Sequence, residues 1–187
     1  EQGIQLDKQR TQLYVMKAEL LMQLAPMESP AEGTIREYNQ LALNALETAL
    51  DLDPGDANLH LRVAVVLRKM GETQNALSHA EQALLLVNHA ITESDQLETR
   101  CAANLLTSDL SRAMLQSSKA AEILDRYLAS SSALENPHQA QIHCLRAELA
   151  LESGDSDRAI QEVAQAIEIS PDDPGLLALQ VRLSLRK

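Results

Sequence analysis

Four small residues, Ala64, Gly71, Ala76 and Ala83, constrain this chain more than any other feature. Ala64, Ala76 and Ala83 lie 12 and 7 residues apart, and Gly71 falls between the first two. Seven residues make about two helical turns, so Ala76 and Ala83 share one helical face. A small side chain is needed wherever another helix backbone comes close. Gly is the residue that a left-handed helix end favours. The segment therefore reads as helix, tight turn, helix.

The spacing recurs. Ala147, Ala159 and Ala166 repeat the 12 and the 7, with Gly154 in the place of Gly71. Cys101, Ala113 and Ala120 repeat both gaps again. Ala18, Ala42 and Ala49 keep the 7 but open the first gap to 24, which implies an inserted helical stretch or loop. Asp53-Pro54 and Ser170-Pro171 close one unit and open the next. Pro stops a helix, and Asp or Ser is ready to cap the following one.

This pattern resembles the tetratricopeptide repeat family, whose unit is about 34 residues long. The resemblance covers nearly the whole chain. It is carried best by Pro54, Val63, Ala64, Leu67, Gly71, Ala76 and Ala83, then by Ala147, Gly154, Ala159, Ala166 and Pro171. The first and third units are degenerate. His60, Leu67 and Ala80 stand where the family usually places aromatics, and His143 where it prefers Trp. Arg146 sits at a usually apolar place. His60 and His143 are equivalent, which points to packing. The resemblance implies an all-α fold, a right-handed α-solenoid of about four antiparallel helix pairs with a C-terminal capping helix. As one domain, its units would span residues 7–54, 55–91, 94–130 and 138–171, with the cap over 173–187.

Composition agrees with close helix packing. Trp and Phe are absent and Tyr occurs three times, so Ala and Leu carry the 45% apolar fraction. Such residues suit helices better than strands. The net charge of −11, with no dominant basic face, argues against blanket binding of nucleic acid. Cys101 and Cys144 are too few for a disulfide scaffold and fit a reducing compartment. No apolar run approaches transmembrane length. The chain begins Glu-Gln-Gly, as a fragment or processed product would.

Along the chain, the first helix is expected over about 7–24, then a loop over 25–33 holding Pro26, Pro30 and Gly33. Thr34 with Glu37 forms a candidate capping box opening a helix to Leu52. Helices follow over 57–70 and 73–91. Ser94 is placed as the next cap, and Thr107-Ser108-Asp109 as the turn of the third pair. Its second helix reaches about Ser130, and a linker leads to the fourth pair over 138–169. Asp173 and Pro174 open a Leu-rich final helix, with Arg182, Arg186 and Lys187 near its end.

Chemical motifs are missing. There is no Walker loop, GxGxxG, HExxH, nucleophile elbow or CxxC. His138, His143 and Cys144 cluster in sequence, but adjacent helical residues point about 100° apart, a poor metal geometry. Glu148 and Glu152, one turn apart, read as a solvated face. No enzyme, metal site or cofactor is expected.

Asn58, Arg62, Val65 and Lys69 share one helical face, with Arg68 beside it. The resemblance implies that this face lines a concave groove for a partner segment. Its cations would favour an acidic segment or a C-terminal carboxylate. The alternative is a solvated face whose Arg and Lys stems cover apolar neighbours. The same face carries Gln12, Met16, Glu19 and Gln23 in the first unit. In the third it is read as Asp95, Thr99, Ala102 and Leu106, and in the fourth as Gln141, Leu145, Glu148 and Glu152. The expected function is a protein-interaction scaffold assisting complex assembly. Two alternatives stand beside it: homo-oligomerisation through the last helix, and a regulatory or targeting domain of a larger enzyme.

Overall fold

The computed structural model describes residues 2–28, 32–89, 97–130 and 139–184. They form α1 (Gln2–Glu28), α2 (Glu32–Leu52), α3 (Ala57–Lys69), α4 (Thr73–His89), α5 (Leu97–Ala113), α6 (Ser117–Ser130), α7 (Gln139–Glu152), α8 (Ser156–Ile169) and α9 (Pro174–Ser184). Among the described residues all regular structure is helical, as the Ala- and Leu-rich composition predicts. The chain divides into two compact units, Glu1–Leu110 and Ser111–Lys187.

In the first unit α1 packs on α2 and α3 on α4, and α2 also meets α3. Ala18, Ala42, Ala49, Ala64, Ala76 and Ala83 are wholly buried. The spacing markers are therefore the points of close helix approach. A core cluster joins Ala57 and Leu61 of α3 to Ala83 and Val87 of α4 and Ala103 of α5. The cap of α3 is Asp56, whose side chain accepts from the Asn58 N–H at 2.8 Å. It lies three residues beyond the Asp53 read as the cap. Asp53 instead donates its N–H to Ala49 O at 3.0 Å, closing α2.

The first pair departs from the expected layout. The helix α1 runs through Pro26 to Glu28, and α2 already includes Gly33 and Thr34. Pro26 lies in the last turn of α1, where its missing N–H removes a single ladder bond. Thr34 is the third residue of α2, so the Thr34–Glu37 capping box is not formed at the helix start. The long gap from Ala18 to Ala42 is filled mainly by extra helix, added to the end of α1 and the start of α2. Pro30 and the proposed Ser94 cap lie outside the described residues.

The third pair also differs. The helix α5 continues through Thr107, Ser108 and Asp109 to Ala113, and the turn comes at residues 114–116. Leu115 has φ +60°, Gly71 and Gly154 each φ +82°. The hydrogen bonds match as well. Gly71, Gly154 and Leu115 donate to the carbonyls of Arg68, Leu151 and Arg112. Glu72, Asp155 and Gln116 donate to those of Leu67, Ala150 and Ser111. All three turns are the same Schellman closure. Leu115 thus holds the glycine position. In the third pair the buried residues at the 12 and 7 spacing are Ser108, Ala120 and Tyr127. The set Cys101, Ala113 and Ala120 is displaced by one heptad, and Ala113 is exposed. A seven-residue slip keeps residues on nearly the same helical face, so the spacing alone did not expose it.

In the second unit α7 packs on α8, and α9 covers α8. Leu179 and Leu183 of α9 join Ala147, Ala150, Ala159 and Val163 in one cluster. Leu176 joins Ala140 and Ala166 in another. Asp173 caps α9, accepting from Gly175 N–H at 2.7 Å. Arg182 lies on α9, whereas Arg186 and Lys187 lie outside the described residues.

Arg146 is accommodated by charge. It contacts Glu162 Oε1 of α8 at 3.1 Å and Asp125 of α6 at 2.9 Å. His143 Nδ1 meets Glu162 Oε2 at 2.7 Å. His60 and His79 hold the equivalent places in the first unit, with Nδ1 atoms 3.1 Å apart.

Candidate functional site

Within the first unit, α1, α3 and α5 line a groove of about 710 Å³. Helix α1 contributes Thr11, Gln12, Val15, Met16 and Glu19. Asp56, Asn58, Leu59 and Arg62 come from α3 and its cap, and Glu98, Thr99 and Ala102 from α5. The first helix of each of three successive pairs thus supplies one wall. The i, i+4 spacing of Gln12 with Met16 and of Asn58 with Arg62 aims both pairs into the same space.

Polar contacts fix the walls. Asn58 Oδ1 accepts from Thr99 Oγ1 at 3.0 Å, tying α3 to α5. Arg62 is ion-paired with Glu19, tying α3 to α1. Both side chains of that pair are about two-fifths exposed, so water screens it strongly. Met16 is 63% exposed and offers an apolar contact at the rim.

The five residues read from sequence separate here. Asn58 and Arg62 line the groove, but Val65, Arg68 and Lys69 do not. Val65 is exposed beyond its end. Arg68 contacts Asp109 of α5 at 2.7 Å. Lys69 lines a second cavity of about 470 Å³ with Gly33, Ile35, Arg36, Asn39 and Met70. Two of the cations taken as available to a ligand, Arg62 and Arg68, therefore already face carboxylates. Sequence reasoning missed Thr11, Val15, Asp56, Leu59 and Glu98. The signal for Val15 was present, since it precedes Met16 and follows Thr11 by one turn. With the corrected turn, the α5 face equivalent to Asn58, Arg62, Val65 and Lys69 is Ala102, Leu106, Asp109 and Ala113. Thr99 reaches the groove from one turn before it.

Among the described residues no group of three or more His, Cys, Asp or Glu side chains could hold a metal ion. His138 lies outside them. His79 is the titratable group whose environment shifts it: burial, then the neighbouring His60, lower its pKa below the ordinary 6.5. None of the described helices is long and apolar enough to cross a membrane.

A sequence model described as tetratricopeptide repeat matches residues 39–93 and 109–174. The chain belongs to the tetratricopeptide repeat family. Solved structures agree. The Pseudomonas aeruginosa PilF structure is similar with a TM-score of 0.73 at 14% identity, over 96% of this chain and 70% of that one. MamA from Desulfovibrio magneticus RS-1 gives 0.64 at 15%, over 91% and 85%. A chain of the APC/C hetero-tetramer Cut9–Hcn1 gives 0.70 at 22%, over 91% of this chain. This tetratricopeptide repeat chain spans only 29% of that protein's length. These likenesses show the fold, an all-α solenoid of helix pairs. No curated protein sequence matches the chain.

Proposed function

We propose that this tetratricopeptide repeat chain is a protein-interaction scaffold that holds a partner segment in the α1–α3–α5 groove and so helps assemble a multiprotein complex. The observation that carries the reading is the groove itself, in which three successive pairs each present their first helix to one space. Its lining mixes apolar residues (Val15, Met16, Leu59) with side chains that donate and accept (Gln12, Asn58, Thr99). That mixture suits a peptide, which offers both backbone polar groups and side chains. Recognition without bond chemistry is the mechanism. The family match and the Cut9–Hcn1 hetero-tetramer among the similar structures add support.

The test is co-purification of partners with the intact chain and with an Ala102→Arg variant. Ala102 is exposed on α5 and lines the groove, so Arg there fills the space without disturbing the core. The expected result is loss of a partner that the parent chain retains. Equal recovery of every partner by both forms would remove the groove from the reading.

A further inference from the structure

We infer that the cavity between the start of α2 and the end of α3 docks the carboxylate groups of an acidic peptide segment. The inference names the partner chemistry left open above and rests on the protein-interaction reading, though on a surface whose lining residues are separate from the groove. Gly33, Ile35, Arg36 and Asn39 come from α2, and Lys69 and Met70 from α3 and its cap. Three observations converge on an anion.

The first is unspent charge. Arg62, Arg68, Arg112 and Arg146 each pair with a carboxylate. Arg36 and Lys69 are exposed, line one cavity and have no ion pair among the described residues. In a chain of net charge −11, two such cations lining one cavity form a local exception.

The second is a buried amide. Asn39 is 4% exposed and lines the cavity. Its carboxamide at the cavity wall can donate to a carboxylate and accept from a peptide N–H.

The third is the backbone. At a helix start the first N–H groups have no intrahelical acceptor and carry the positive end of the dipole. A Cβ added to Gly33 would meet nothing within 4 Å, so there is open space beside this residue. The opposing negative end of α3 is quenched. The N–H groups of Met70, Glu72 and Gly71 occupy the carbonyls of Val66, Leu67 and Arg68. Ile35 and Met70 add apolar wall for the aliphatic stems of Glu side chains, which favours an acidic peptide over a bare anion.

The extra turns of α2 build this cavity. Gly33, Ile35 and Arg36 belong to the helical extension that widens the gap between Ala18 and Ala42. The site is thus a product of the departure from the regular repeat.

The experiment is an amide chemical-shift titration of the full chain with an end-blocked tetra-glutamate peptide, repeated with inorganic phosphate. Saturable shifts at Gly33, Ile35, Arg36 and Asn39 are expected with the peptide, and weaker ones with phosphate. Arg36→Glu with Lys69→Glu should weaken peptide binding at least about tenfold. Gly33→Leu fills the open space without altering charge and should weaken it as well. Unchanged shifts elsewhere establish that both variants fold. Equal shifts with phosphate, shifts spread over Lys8, Arg10, Lys17 and Lys119, or full binding by either variant would overturn the inference. If these fail while Ala102→Arg still abolishes partner capture, only the cavity falls and the scaffold reading stands.

Discussion

His60 and His79 face each other between α3 and α4, their Nδ1 atoms 3.1 Å apart, so one ring donates and the other accepts. That bond needs one Nδ1 without a proton, so it is lost when both rings are protonated. Burial, then the charge on His60, lowers the pKa of His79. The folded chain therefore holds this proton less tightly than the unfolded chain, whose value is near 6.5. Stability contributed here is full above pH 6.5 and falls as pH drops below it towards the lowered value. Thermal unfolding followed between pH 8 and pH 5, at intervals of about one unit, should show this loss, and His79→Gln should flatten it. His79→Glu copies the His143–Glu162 pair of the fourth unit and should reverse the slope locally; an unaltered profile in both variants would refute the assignment. Leu115 makes a second residue-scale case. It is 93% exposed and sits at φ +60°, a conformation that costs a side-chain-bearing residue about 1 kcal/mol. Leu115→Gly should raise stability by about that amount in urea unfolding. Part of the candidate site was legible at this scale. Asn58 and Arg62 follow from helical spacing. The pairing of Arg62 with Glu19 and of Arg68 with Asp109 was not legible, because each partner comes from another helix and ion pairs leave no periodicity.

At the scale of the element, small residues reported faces faithfully and positions along a face less well. Two of the four pairs were legible because Gly71 and Gly154 mark their turns. In the third pair a Leu holds the turn, and without a glycine nothing distinguished one heptad from the next. In the first pair Pro26 and Gly33 suggested a break, yet each falls within one turn of a helix end, Pro26 in the last turn of α1 and Gly33 in the first of α2, where it interrupts little of the ladder. Arg146 of α7 shows how an element absorbs a misfit. It is 18% exposed and spans from Asp125 to Glu162, itself 7% exposed and also bonded to His143. Removing one member of such a set leaves a buried charge poorly compensated. Arg146→Met should destabilise the second unit by about 3 kcal/mol in chemical unfolding. Arg146→Met combined with Glu162→Leu should recover most of that loss, because apolar packing often replaces a buried pair at little cost. If the double variant is as unstable as the sum of the singles, the network contributes more than its desolvation takes away.

For the molecule as a whole, the decisive question is what the exposed end of a repeat array does. Stacked helix pairs leave an apolar face at the last pair, and an uncovered face invites association. In this chain α9 covers it: Leu176, Leu179 and Leu183 are buried against residues of α7 and α8. Leu177 and Val181, 43% and 58% exposed, lie one turn apart on the outer side. Two such residues make a narrow stripe, far short of the contiguous apolar surface that a stable self-interface buries. The net charge of −11 adds repulsion between copies. Two variants separate capping from oligomerisation. Leu177→Glu with Val181→Glu alters the outer stripe alone and should leave the mass in multi-angle light scattering at that of one 20.5 kDa chain across a dilution series. Leu179→Asp strikes the covered side and should expose the Ala147, Ala150 and Val163 cluster, giving concentration-dependent association. If the parent chain is instead a dimer that the outer pair dissolves, α9 joins copies rather than closing the array. The stacking of repeats would then continue from one molecule to the next.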